Sequence, residues 1–301
     1  MPQAYGVMVP FAVGAPRHVL EPPHLMSPPV VFIHGGWVTP ACWDPFVSYF
    51  EGRGYRCLAP AWPGKDRSVA AIRSDPSALA GLGMGEIVDH YERIIRALDE
   101  RPILIGHSFG GLFVQVLLDR GHGTAGIAID SAPPKGVFAF ELTSLLSLGR
   151  ILVTPFGWRK VVRWSYPEYR YAFVHTMPPE EQRAIWDAQI VPDSGRPFFE
   201  AGYSFLDRAS PARVNFANPD RAPLLFIAGE SDRAMPPAIV RRMYRAHRAS
   251  PAPTELRSFP GRTHWLIAQD GWEEVAQACI DWIGSLGAVS SPRQVTEGAA
   301  A

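Results

Sequence analysis

Four short runs in this chain are wholly apolar, and none is long enough for a helix: Val30-Val31-Phe32-Ile33, residues 103–105, residues 125–129 and Leu224-Leu225-Phe226-Ile227. A strand that is apolar on both sides is buried on both faces, as it is inside a parallel sheet covered by helices. Between these runs the period changes. Met84, Ile87, Val88, Tyr91, Ile94, Ile95 and Leu98 trace one face of an amphipathic helix. Helical patterns also fall at 43–52, 112–118, 237–247 and 271–286. Further strands are read at 55–59 and 254–259, with an edge strand at 5–13. Strands alternating with helices predict an α/β fold on a doubly wound, mostly parallel sheet.

One segment interrupts the alternation. Between 133 and 218 no apolar strand separates the helical patterns, yet this stretch holds 15 of the 34 aromatic residues. Its ten basic and eight acidic side chains nearly balance, so it does not form a surface for a polyanion. Met177-Pro178-Pro179-Glu180-Glu181 reads as a helix start, with prolines early and acids in the first turn. The expected organisation is a core from 1–132 and 219–287, a helical cap at 133–218 and a small, polar tail at 288–301.

Composition narrows the partners. Hydrophobic residues at 47% against 19% charged exclude disorder for most of the chain. The 29 Lys and Arg cancel the 29 Asp and Glu, so no cationic surface for nucleic acid is expected. No apolar run approaches the ~18 residues of a membrane span. Residues 1–20 lack a basic start followed by an apolar block, so no signal peptide is read and a cytoplasmic location is expected. Cys42, Cys57 and Cys279 are scattered, and no CxxC, H-x-H or HExxH pattern occurs, so no metal site is expected.

The chemistry centres on Gly106-His107-Ser108-Phe109-Gly110-Gly111, which follows one apolar strand and opens a helix. That is the context of a nucleophile elbow, in which flanking glycines permit a sharp turn that projects one serine. A serine hydroxyl is a weak nucleophile and needs a base. His264, in Gly261-Arg262-Thr263-His264-Trp265 after the last strand, faces the same carboxyl end of the sheet. The orienting acid belongs between them in sequence. Asp232, just past the strand at 224–227, fits best; Asp130, ending the strand at 125–129, and Glu230 are the rivals. Two backbone N–H groups must hold a tetrahedral oxyanion. Phe109, after the nucleophile, is one donor. Gly36 in His34-Gly35-Gly36-Trp37 is the other, with Trp37 second; His34 is read as a loop-stabilising residue and His107 as a packing or hydrogen-bonding one.

With HGGW at 34–37, GHSFGG at 106–111, GESDRAMPP at 229–237 and GRTHW at 261–265, the chain resembles the α/β-hydrolase superfamily from about 25 to 287. The resemblance implies an eight-stranded, mostly parallel sheet, a Ser108–Asp232–His264 triad, a cap after the strand at 125–129 and catalysis without a cofactor. Two departures stand out. Many relatives carry Asp-x-Pro-Gly-x-Gly after the second strand. Here Ala61-Trp62-Pro63-Gly64-Lys65-Asp66 keeps only the Pro-Gly. The HGG is also not extended to HGGG.

The expected activity is hydrolysis of a small to medium, apolar, uncharged carboxylic ester through an acyl-enzyme on Ser108. Trp37, Trp164, Trp186 and Phe199 are the candidate substrate contacts. The same triad could serve lactone, thioester, amide or carbon–carbon hydrolysis, or belong to a non-catalytic ligand-binding receptor. Epoxide hydrolysis and dehalogenation would need an aspartate in place of Ser108. The expected partner is a small-molecule substrate.

Overall fold

The computed structural model describes residues 28–289. In chain order the elements are β1 (Val30–Ile33), α1 (Asp44–Glu51), β2 (Cys57–Leu58), α2 (Val69–Ser74), α3 (Met84–Arg96), β3 (Ile103–His107), α4 (Phe109–Asp119), β4 (Ala125–Ile129), α5 (Leu142–Leu152), β5 (Val161–Val162), α6 (Tyr166–Phe173), α7 (Pro179–Gln189), β6 (Asp193–Ser194), α8 (Arg196–Gly202), β7 (Leu224–Gly229), α9 (Pro237–His247), β8 (Thr254–Phe259) and α10 (Trp272–Val289). The strand predicted at 5–13 and the residues read for a signal peptide lie outside the described residues. So does the tail, except that 288 and 289 continue α10.

Six strands form one parallel sheet in the order β2-β1-β3-β4-β7-β8. Among the described residues the main sheet therefore has six strands, where the resemblance implied eight. β2 is also shorter than read: only Cys57 and Leu58 pair with β1. The wholly apolar runs are the central strands β1, β3, β4 and β7, every residue of which is buried. α1 packs on α10 and α3 on α4, while Gln115 of α4 meets Met243 and His247 of α9; the right-handed rule for parallel crossovers places these two groups on opposite faces of the sheet.

The chain moves from β1 outward to β2, then crosses back to β3 on the other side of β1. This reversal opens a crevice at the carboxyl ends of β1 and β3, the usual ligand position in open α/β sheets. The two strands end in register, Ile33 opposite Gly106. The glycine turn after β1 and the serine turn after β3 thus emerge side by side.

The stretch between β4 and β7 holds α5–α8 and one feature the apolar pattern did not announce. Val161 and Val162 pair antiparallel with Asp193 and Ser194 in a two-stranded ribbon. A strand as polar as Asp193-Ser194 carries no apolar signal. It is a strand because its partner and its buried contacts make it one. Every large hydrophobic side chain that is exposed among the described residues lies between 138 and 206.

Candidate active site

Ser108 sits between β3 and α4 with φ +57° and ψ −120°, a conformation that disfavours any side chain beyond glycine. Its backbone is fixed all round. Ser108 N–H donates to Ile129 O at 3.0 Å, while its carbonyl accepts from Gly111 N at 3.0 Å and Ala132 N at 2.9 Å. The flanking glycines are required by contact. A Cβ on Gly106 would lie 2.1 Å from Gly110 O, and one on Gly110 would lie 1.9 Å from Ile33 O. The turn after β1 reaches Ser108 directly, since a Cβ on Gly35 would stand 2.8 Å from Ser108 Cβ and 3.4 Å from its Oγ.

His264 is fully buried in the loop after β8. Its Nδ1 lies 2.6 Å from Asp232 Oδ2, and the other oxygen of Asp232 accepts from Ala234 N at 2.7 Å and Met235 N at 2.9 Å. The carboxylate accepts, so Nδ1 of the neutral ring carries the proton and Nε2 presents a lone pair. Nε2 is buried and has no hydrogen-bond partner among the described residues. The ring lies beside the serine turn: His107, the neighbour of Ser108, has its ring 4.6 Å from that of His264 and its Nε2 2.7 Å from His264 O. Because that carbonyl can only accept, His107 Nε2 is the protonated nitrogen. Burial, then the nearby His264, holds the His107 pKa well below its usual value.

The rival acids stand elsewhere. Asp130 is buried with φ +41°, and its Oδ1 accepts from Gly229 N at 2.7 Å rather than from His264. Burial first, and Asp232 next, push its carboxyl well above the ordinary range. Glu230 reaches outward to Arg241 at 3.4 Å. His107, Asp130 and His264 each offer one possible metal-ligand atom within 4.8 Å of the others. Their bonds to His264 O, Gly229 N and Asp232 account for this cluster as the hydrogen-bonded surroundings of the His264 ring.

Two backbone N–H groups near Ser108, those of Gly36 and Phe109, have no acceptor among the described residues. Trp37, the second choice, is different: its N–H donates to Asp193 Oδ2 at 2.7 Å. The Gly35–Gly36 peptide is aimed by His34. His34 Nε2 accepts from Trp62 N at 3.1 Å, so Nδ1 holds the proton and donates to Gly35 O at 2.9 Å. Burial and the charge of Lys65 keep this imidazole neutral, well below its usual pKa. In a trans peptide the carbonyl and the following N–H point oppositely, so pinning Gly35 O directs Gly36 N–H the other way.

A cavity of about 140 Å³ adjoins this group. Phe109, Ala132, Leu145, Leu148, Phe198 and Met235 are among its lining residues. It touches the site at both ends: Ala132 bonds Ser108, and Met235 bonds Asp232. None of the four aromatic residues read as substrate contacts lines it. Trp37 and Trp164 are buried and stack on each other at 3.6 Å. Trp186 packs on Tyr166 and Tyr169. Phe199 lines a separate depression with Trp158 and Glu200. Consecutive residues on a helix point about 100° apart, so on α8 it is Phe198 that enters the cavity, edge-on to Phe109 at 4.9 Å. Phe173 of α6, absent from the candidates legible in the sequence, has its ring 4.4 Å from that of His264. Its spacing of four from buried Tyr169 marks a common face, but not what the face meets.

A family model described as the alpha/beta hydrolase family matches residues 30–278. No curated protein matches the chain. Among solved structures, the chain is similar to a monoacylglycerol lipase from Paleococcus ferrophilus: TM-score 0.60, 21% identity, covering 86% of this chain and 96% of that one. It is also similar to a pyrethroid hydrolase from Sphingobium faniae JZ-2, with TM-score 0.60, 22% identity, and 86% and 98% covered. A thermophilic esterase from Thermogutta terrifontis, solved with malate bound, gives TM-score 0.61, 18% identity, and 87% and 91% covered. At these identities the likeness is one of fold.

Proposed function

The chain belongs to the alpha/beta hydrolase family, and from that premise we propose that it is a serine hydrolase acting on small to medium, apolar carboxylic esters. The observation that carries this reading is the state of His264. One ring nitrogen is committed to Asp232, and the other is buried, without a hydrogen-bond partner among the described residues, beside a serine held in a strained turn. The named activities of its structural neighbours, a lipase, an esterase and a pyrethroid hydrolase, agree with ester hydrolysis.

In this mechanism Ser108 Oγ attacks the ester carbonyl while His264 Nε2 takes the hydroxyl proton. Asp232 holds the tautomer and stabilises the imidazolium. The carbonyl oxygen becomes an oxyanion that accepts from Gly36 and Phe109 N–H, neither of which has another acceptor among the described residues. Collapse breaks the bond to the alkoxy group, which leaves as the alcohol with the proton from His264. Water then loses a proton to His264 and attacks the acyl-enzyme, and the acid departs as Ser108 regains its proton. The segment 133–218 acts as a cap whose apolar side chains line the cavity and exclude water. A cavity of about 140 Å³ favours short acyl chains.

The test is hydrolysis of nitrophenyl esters of increasing acyl length by wild type and Ser108→Ala. Turnover should peak at short to medium chains and fall by about 10³-fold or more in the variant. Equal rates in both would overturn the reading.

A further inference from the structure

The turn that carries the Gly36 donor is gripped by a buried ion pair that the reaction does not use. Lys65 Nζ lies 2.6 Å from Asp193 Oδ2, and both side chains are fully buried. Lys65 stands in the loop after β2, where the chain departs from the family's Pro-Gly-x-Gly pattern, and Asp193 stands in β6. They converge on residues 37 and 38. Asp193 Oδ2 accepts Trp37 N–H at 2.7 Å, Lys65 Nζ donates to Val38 O at 3.1 Å, and Val191 N donates to Trp37 O at 2.8 Å. Trp37 has φ +60°, a left-handed conformation that a residue with a side chain keeps only when its surroundings impose it.

Two physical points give this arrangement a role beyond packing. A buried ion pair contributes little net stability, because desolvation of both charges offsets their attraction. Its value here is directional: Asp193 occupies the Trp37 N–H, while the Gly36 N–H beside it has no acceptor among the described residues. The carboxylate is also close to the donor, with Asp193 Oδ2 only 3.6 Å from where a Gly36 Cβ would be. A bare negative charge there would oppose an oxyanion, and the ammonium of Lys65 compensates it.

We propose that Lys65 and Asp193 are positioning residues for the oxyanion donor, holding the 36–38 turn so that Gly36 N–H faces the reacting carbonyl. This rests on the assignment of Gly36 made under the proposed function. It ties the donor to the inserted segment, because Asp193 and Val191 reach the turn from there.

The test uses the full chain and two double variants that remove both charges together, so that neither is stranded in the interior. In Lys65→Met/Asp193→Leu the Trp37 acceptor is lost. Amide hydrogen exchange in peptides covering 34–39 should accelerate by about tenfold or more. The ester kcat should fall about 10–100-fold with KM within about twofold. Lys65→Met/Asp193→Asn restores a neutral acceptor and should return kcat to within about fivefold of wild type. A folded leucine variant with unchanged exchange or unchanged kcat overturns the proposal, and so does an asparagine variant no better than the leucine one. Wild type alone decides the clamp if the leucine variant does not fold: a Trp37 amide exchanging at the rate of an open loop overturns it. If wild type hydrolyses no ester, the functional reading falls, while exchange at 34–39 still decides whether the clamp exists.

Discussion

Each imidazole in the site has its proton placed by what its neighbours can accept. His34 and His107 each face a carbonyl, and His264 faces a carboxylate. The same reasoning separates the two aspartates. Asp130 is buried beside Asp232, and burial together with that neighbouring charge keeps its carboxyl protonated well above the usual range. Geometry separates them too: Asp232 Oδ2 lies 2.6 Å from His264 Nδ1, whereas Asp130 Oδ1 is held by Gly229 N at 2.7 Å, so Asp232 is the orienting acid of the proposed mechanism. Asp232→Asn should lower kcat by about 10²–10⁴-fold, whereas Asp130→Asn, which keeps the side chain's size and an oxygen for Gly229 N, should stay within about tenfold. Steady-state kinetics on one ester checks both, and the reverse ranking would put the acid at the end of β4.

At the scale of elements, the elbow shows contact outweighing propensity. Gly110 lies in α4 and Gly149 in α5, and alanine is the better helix former by about 0.8–1 kcal/mol. At Gly149 a Cβ meets nothing within 4 Å, so Gly149→Ala should stabilise by about 0.5–1 kcal/mol. At Gly110 the Cβ would stand 1.9 Å from Ile33 O, backbone that cannot move without shifting β1. Gly110→Ala should destabilise by about 1–3 kcal/mol or more and abolish activity. Urea denaturation of the pair measures the contrast, and equal effects would mean that the elbow has slack. The glycines at 106 and 110 were legible as an elbow from spacing alone. The specific contact at Gly110 was not, because it is made to the carbonyl of Ile33 in β1, far away in the sequence.

For the molecule as a whole, buried histidines contribute to the response to acid. His247 of α9 is fully buried; its Nε2 lies 3.0 Å from Gln115 Oε1, and burial pulls its pKa down to about 3. The unfolded ring titrates near 6.5, so between about pH 6.5 and 3 the unfolded state binds a proton the native state refuses. Stability from this group is complete above pH 6.5 and is lost as pH falls, at up to about 1.4 kcal/mol per unit. His34 and His107 are shifted in the same direction. Asp130 acts oppositely, since its raised pKa lets the native state keep a proton that the unfolded state releases above about pH 4. His247→Phe should therefore reduce the loss of unfolding free energy between pH 6.5 and 4 by up to about 3 kcal/mol. Denaturant titrations at several pH values read this directly, and an unchanged slope would mean that His247 protonates freely in the native state.

The sequence alone determined the strand and helix alternation, the elbow at Ser108 and the places of His264 and Asp232 along the chain. These features are local: burial of a strand on both faces, a helical stripe and glycines around a sharp turn each leave a pattern within a few residues. What the tertiary structure decided depends on residues that meet from distant segments. The cavity takes Phe198 rather than Phe199, because α8 turns that face inward. Trp37 and Trp164 pack on each other, since the turn after β1 and the segment between β4 and β7 meet there. Lys65 and Asp193, 128 residues apart, close on the turn that bears the Gly36 donor. No spacing rule links such a pair, because a buried charge leaves no mark in the sequence until the fold removes its water.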